Sequence, residues 1–294
     1  MKKPSNIIII SLLLICLLAF SSMSLIFGNY ASAYPGTCAA NFLPTNFVEG
    51  VDTSWELWLS QETADYIAGV LNSKYPIYDI RDTACTANNF KTYINAQQSW
   101  DTAVIYSKGH LAWKNCPHGY GQMGLAMYNG TTIVLDTEIY DKTSSKNVHS
   151  FIWHCRTGLL VSDGHTACLH RGLPVAFTHN DDIPWWGTSG SQVYLGWYNK
   201  TDLQVYNFTT GQYHYIQILP GDPMVGSPQY EWGINPNYNY ANVAATYYYR
   251  MKQGDSTAAA LVQMSSIVYG HTNFENTELA DWLVVYGNMY TKLP

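Results

Sequence analysis

Two short apolar runs, each followed by a residue able to do acyl-transfer chemistry, constrain this chain more than any other feature. The first, Ala103-Val104-Ile105-Tyr106, leads through Ser107-Lys108-Gly109 to His110. The second, Ser150-Phe151-Ile152-Trp153, leads through His154 to Cys155 and then Arg156-Thr157-Gly158. Apolar runs of this length, bounded by Gly and polar residues, read as buried strands of a sheet covered on both faces. In an open α/β sheet, ligands bind beyond the carboxyl ends of the strands. A histidine at one such end and a cysteine at another can meet although far apart in sequence, as a thiol nucleophile and its base require.

The surrounding pattern alternates in the same sense. Ala64, Ile67, Ala68 and Leu71 follow helical spacing within 60–73, and Phe90, Tyr93 and Ile94 do so within 88–98. Extended runs are expected at 77–80, 101–106, 132–136, 150–153, 173–177 and 192–197, with an edge strand at 283–286 and a weak first strand at 47–49. Segments 240–253 and 257–269 read as helices, the first with an aromatic face (Tyr247, Tyr248, Tyr249) that packing explains best. Strands alternating with helices of this length predict crossovers, hence an α/β fold with a mostly parallel sheet of about six strands.

The amino terminus predicts export. Lys2 and Lys3 precede an apolar stretch from Ile7 to about Phe20, and Ala31-Ser32-Ala33 supplies small residues for signal-peptidase cleavage. Residues 1–33 are therefore read as a signal peptide, or as an N-terminal anchor if uncleaved, and 34–294 as one domain. Only in the anchored case is a membrane a partner. Loss of the two lysines makes the formal charge of −6 two units more negative, which argues against a nucleic-acid partner. Sequons at Asn129, Asn199 and Asn207 fit exposed, glycosylated loops. Beyond Cys16 in the leader there are five cysteines, an odd number for an oxidising compartment. Two disulfide bonds among Cys38, Cys85, Cys116 and Cys168 would leave Cys155 free.

The order helix, strand, helix, strand ending in His, further strand, strand ending in Cys resembles caspase-like cysteine peptidases, the group of caspases, gingipains and legumains. Tyr106-Ser107-Lys108-Gly109-His110-Leu111-Ala112-Trp113 is similar to the gingipain histidine segment. Phe151-Ile152-Trp153-His154-Cys155-Arg156 resembles the caspase strand with terminal Cys-Arg. Gly172 to Phe177 looks like the strand after the nucleophile, and Val285-Tyr286-Gly287-Asn288 like a gingipain closing segment. The resemblance implies a three-layer sandwich and a secreted or surface endopeptidase acting on peptide or protein substrates, with a His110/Cys155 dyad and no cofactor. It departs at one point: the family places Gly directly after its histidine, whereas Gly109 precedes His110 and Leu111 follows it. His118-Gly119 has the family's order and makes His118 the alternative base. Asp136 is a candidate to orient the imidazole. Asp163, Asp181 and Asp182 are candidates to receive a basic substrate side chain, and Trp185 with Trp186 to wall a pocket.

Three rival readings remain open. Gly187-Thr188-Ser189-Gly190-Ser191 resembles a serine-hydrolase nucleophile turn and makes Ser189 a candidate. His149, His154, Cys155, His165, Cys168, His170 and His179 are zinc-type ligands crowded in sequence, at spacings that fit no standard module. A binding protein that keeps the fold without activity is the third, since fold does not establish function.

Overall fold

The computed structural model describes residues 34–44, 53–115, 121–128, 132–154, 156–158, 171–197, 202–207, 212–217, 240–269, 273–274 and 283–294. Outside these lie the leader, the 47–49 run, Cys116, His118, Cys155, Asp163, His165, Cys168, His170 and the first two sequons. Among the described residues no helix is long and apolar enough to cross a membrane.

The histidine run is strand β3 (Trp100–Lys108), buried without a break from Ala103 to Lys108, and the cysteine run is β7 (Asn147–Trp153), buried throughout. They pair in parallel, with Lys108 opposite Trp153 at the end of the ladder. Around them stand β1 (Tyr34–Leu43), β2 (Ile77–Arg81), β8 (Val193–Trp197) and β11 (Leu283–Gly287), in the order β11-β8-β7-β3-β1-β2. The pairings are parallel except that of β11 with β8. Six mostly parallel strands match the expected sheet.

Helices cover both faces. On one, α1 (Thr53–Asn72), α5 (Tyr240–Lys252) and α6 (Thr257–Tyr269) bury Ile67, Leu71, Tyr247, Tyr248 and Met264 against Val104, Phe151, Leu195 and Val285. On the other, α2 (Ala87–Gln97), α3 (Asp136–Tyr140) and α4 (Leu173–Thr178) bury Phe90, Ile94, Ile139 and Phe177 against Phe42, Ile105, Ile152 and Tyr194. Strand β8 shows the two-residue alternation that serves both layers: Val193, Leu195 and Trp197 face the first, Tyr194 the second. The sequence signals hold locally too, since the Thr86 hydroxyl caps α2 by accepting the amide of Asn89 at 3.2 Å. The domain is a three-layer α/β sandwich.

Three expectations are corrected. Residues 173–177 form helix α4, not a strand: Gly172 enters it at φ 77°, Pro174 occupies its first turn, and burial of every residue erases the periodicity that tells helix from strand. The 132–136 run is β6 (Ile133–Leu135), but it lies outside the main sheet. It pairs antiparallel with β5 (Gly121–Ala126), which pairs with β4 (Leu111–Asn115), and Asp136 opens α3 instead of closing the strand. The disulfide scheme fails for its described members, because Cys38 and Cys85 are free, buried thiols. Strand β1 escaped the sequence reading. A further antiparallel hairpin joins β9 (Asp202–Asn207) to β10 (Gln212–Gln217).

Candidate active site at the β3 and β7 tips

Past β1 the strand order reverses direction, β2 adding on one side and β3 on the other. Such a switch point opens a crevice beyond the carboxyl ends of the strands. His110 lies at that rim, two residues past the end of β3, and His154 directly follows β7. The two loops are stitched together: Gly109 donates its amide to the carbonyl of Trp153 at 3.3 Å. The His154 ring spans the gap. Its Nδ1 is 3.0 Å from the His110 carbonyl oxygen, and its Nε2 is 2.8 Å from the Ser107 hydroxyl.

A carbonyl only accepts, so Nδ1 carries the proton and Nε2 accepts from Ser107. That is neutral imidazole, held so by full burial, which pulls its pKa down to about 3 against the opposing effect of its hydrogen bond to the His110 carbonyl. His110 is half-buried at the same rim and not desolvated in the way His154 is. The Ser107–His154 pair looks like a serine nucleophile with its base, but both residues are wholly buried and no substrate reaches them.

On the far side of Cys155 the chain is fixed again. Arg156 sits at φ 56°, a region few non-glycine residues occupy. The Thr157 hydroxyl lies 2.8 Å from the carbonyls of both Ile152 and His154, folding the turn back on its own strand. Tyr194 of β8 donates to the Thr157 carbonyl at 2.8 Å, and Gly158 donates its amide to Trp197 at 2.7 Å. Gly196 and Gly158 permit this approach, since a Cβ on either would fall about 3 Å from the other segment's backbone. His154 and Thr157 are thus each held by buried hydrogen bonds.

The remaining candidates distribute as follows. Asp136 is buried, and its carboxylate accepts the amides of Thr137 (2.9 Å), Arg171 (2.9 Å) and Gly172 (3.0 Å), anchoring the entrance to α4. Asp181, Asp182, Trp185, Trp186 and Ser189 precede β8, at the amino ends of the parallel strands and so across the sheet from His110. Trp185 bridges to Tyr286 and Gly187 to Asn288 along the outer edge of β11, and Arg171 pairs with Asp181 at 3.0 Å. Seven strand residues at about 3.3 Å each separate the two ends by roughly 20 Å, so these groups and His110 do not share a pocket. The described members of the zinc-type cluster lie apart: His149 bonds Tyr247 on one face of the sheet, His154 bonds Ser107, and His179 lies against Thr143 and stacks on Tyr140. Among the described residues no three His, Cys, Asp or Glu groups converge to hold a metal.

Sequence reading missed Ser107, Gly109 and His154 as a unit, and the Tyr194–Thr157 clamp. The only hint was their placement, polar or glycine residues at the ends of otherwise apolar runs.

Strand order, register and helix layers define an α/β protein with a central sheet parallel but for one edge strand. No family model matches the sequence, and no curated protein matches it. Among solved structures the chain is similar to the Drosophila initiator caspase Dronc, at 7% identity over 89% of this chain and 82% of that one, with a TM-score of 0.37. It is also similar to protein GSU0716 from Geobacter sulfurreducens, at 13% identity over 55% of this chain and 71% of that one, with a TM-score of 0.29.

Proposed function

We propose that this protein is a cysteine endopeptidase in which Cys155 is the nucleophile and His110 its base, working outside the cytoplasm on peptide or protein substrates. One observation carries the reading. The segments bearing these two residues leave adjacent parallel strands at the same end of the sheet and are hydrogen-bonded to each other through Gly109–Trp153 and His110–His154. In this reading the His110 imidazole takes the thiol proton, and the thiolate sulfur adds to the scissile carbonyl carbon. The carbon–nitrogen bond then breaks as His110 returns the proton to the leaving amine. Water, deprotonated by the same imidazole, releases the acyl group. Backbone amides of the immobilised turn are the natural oxyanion donors, each typically worth about 3 kcal/mol. No cofactor enters the scheme.

The test is digestion of a mixed peptide library by the mature protein, with iodoacetamide labelling followed by peptide mapping. The expected result is cleavage that stops when Cys155 is labelled and is absent in Cys155→Ala and His110→Ala. Undiminished cleavage by Cys155→Ala would refute it.

A further inference from the structure

Gly109 stands directly before His110, and the geometry explains why that position is glycine. A Cβ built on Gly109 would lie 2.7 Å from Cε1 of His154 and 3.0 Å from Cγ of Pro44, at the end of β1. No real side chain tolerates that contact, so only glycine leaves room for the His154 ring beside the β3 exit. From that position the ring reaches the His110 carbonyl with one nitrogen and the Ser107 hydroxyl with the other. Ser107, Gly109, His110 and His154 therefore form one closed unit around the β3 tip, made from two strands.

We infer that His154 is a positioning residue for the catalytic pair: its ring fixes the main chain of His110 relative to the residue that follows His154, and Ser107 donates to the unprotonated Nε2 of the tautomer that makes this possible. The inference rests on the His110/Cys155 reading. His154 touches no substrate and moves no proton, because its Nδ1–H is committed to a carbonyl and its Nε2 to a hydroxyl, behind a fully buried surface. What it supplies is geometry. A base and a thiol displaced by about 1 Å can lose on the order of 10²-fold in rate. A side chain attached to the neighbour of one and bonded to the backbone of the other opposes that displacement directly.

The experiment compares wild type, His154→Ala, His154→Asn and Ser107→Ala in the full mature chain. It reads steady-state cleavage of the best library substrate and the pH dependence of Cys155 alkylation by iodoacetamide. His154→Ala is expected to lower kcat by about 10²-fold at nearly constant KM. It should also move the alkylation midpoint up toward the value of about 8.5 of a free thiol. Asn at 154 keeps a donor at the Nδ1 position and is expected to restore most of kcat and the low midpoint, with Ser107→Ala intermediate. If the alanine variant does not fold, the asparagine and serine variants carry the comparison. A folded His154→Ala with wild-type kcat and midpoint overturns the inference while leaving the dyad standing. So does an asparagine variant no better than alanine. A wild-type Cys155 that alkylates as an ordinary thiol, in a protein that cleaves nothing, overturns the dyad and this inference together. Cleavage that survives Cys155→Ala but not Ser107→Ala would make Ser107 the nucleophile and overturn both.

Discussion

Tyr286 donates its phenol hydroxyl to the carbonyl of Gly158 at 2.9 Å, tying the antiparallel edge strand to the turn beyond β7 across 128 positions of sequence. Its neighbour in register, Tyr194, does the same for the carbonyl of Thr157. Two buried phenols on adjacent strands thus hold two consecutive carbonyls immediately after Arg156, whose left-handed backbone would otherwise relax at a gain of roughly 1–3 kcal/mol. Edge strand β11 in this sense supports the candidate site.

Removing either hydroxyl leaves a buried carbonyl unpaired, at a cost of about 1–3 kcal/mol. Tyr194→Phe and Tyr286→Phe are each expected to lower Tm by about 2–4 °C per kcal/mol lost, read by thermal unfolding. The double variant should lose less than the sum, because both hydroxyls restrain one turn. Additive losses would show two independent contacts.

Stability should fall in acid through the buried histidines. Burial pulls His149 and His154 down to about 3, whereas unfolded histidine titrates near 6.5. Between these values the unfolded chain binds two protons the native one refuses, so their contribution is complete above about pH 6.5 and is lost as pH falls toward 3. The slope is about 1.4 kcal/mol per pH unit for each histidine. Urea midpoints measured from pH 7 to 4 are expected to drop, and His149→Phe to flatten the curve. An unchanged curve in that variant would remove His149 from the account.

The strands at the heart of the sheet were legible because Ala103–Tyr106 and Ser150–Trp153 are apolar runs too short for helices, and the flanking helices because Ile67, Leu71, Phe90 and Ile94 repeat at helical spacing. Helix α4 was not, because a segment buried on all sides carries no period. Nor was the far position of Trp185 and Ser189, because proximity in sequence to Cys155 says nothing about which end of the sheet a crossover reaches. His154 was visible only as one more histidine: its role depends on Gly109, which follows another strand.

The rim opposite His110 supplies a control. Ser189 is exposed before β8 and Trp185 is 69% exposed, both at the amino ends of the strands. Ser189→Ala and Trp185→Ala are expected to leave kcat/KM for library substrates within about twofold of wild type, since neither touches the β3–β7 rim. A tenfold loss in Ser189→Ala would return the serine-hydrolase reading.

Cys38 and Cys85 are expected to behave as inert core thiols. Burial pushes both up to about 12, so thiolate is scarce at neutral pH. Native protein should leave both unmodified by a maleimide that labels them in urea, and mapping of the labelled peptides separates them from Cys155. Labelling of Cys38 or Cys85 in the native state at the rate of Cys155 would show that this face of the sheet opens to solvent.

Asp136 tests whether the second layer is held by charge. Its carboxylate is buried beneath α4 and collects the amides of Thr137, Arg171 and Gly172, the last two at the point where the chain enters that helix. Hydrogen bonds to a charged acceptor are worth about 1.5–3 kcal/mol each, and a donor left facing another donor costs more than an empty space. Asp136→Asn keeps the volume but turns an NH2 group toward one of these amide clusters. It is therefore expected to destabilise by about 3 kcal/mol, at least as much as Asp136→Ala. Amide exchange should quicken first at Arg171 and Gly172 while the central ladder of β3 and β7 stays protected. If the carboxylate served mainly to orient the histidine, cleavage would fall in Asp136→Asn with no change in exchange at these two amides.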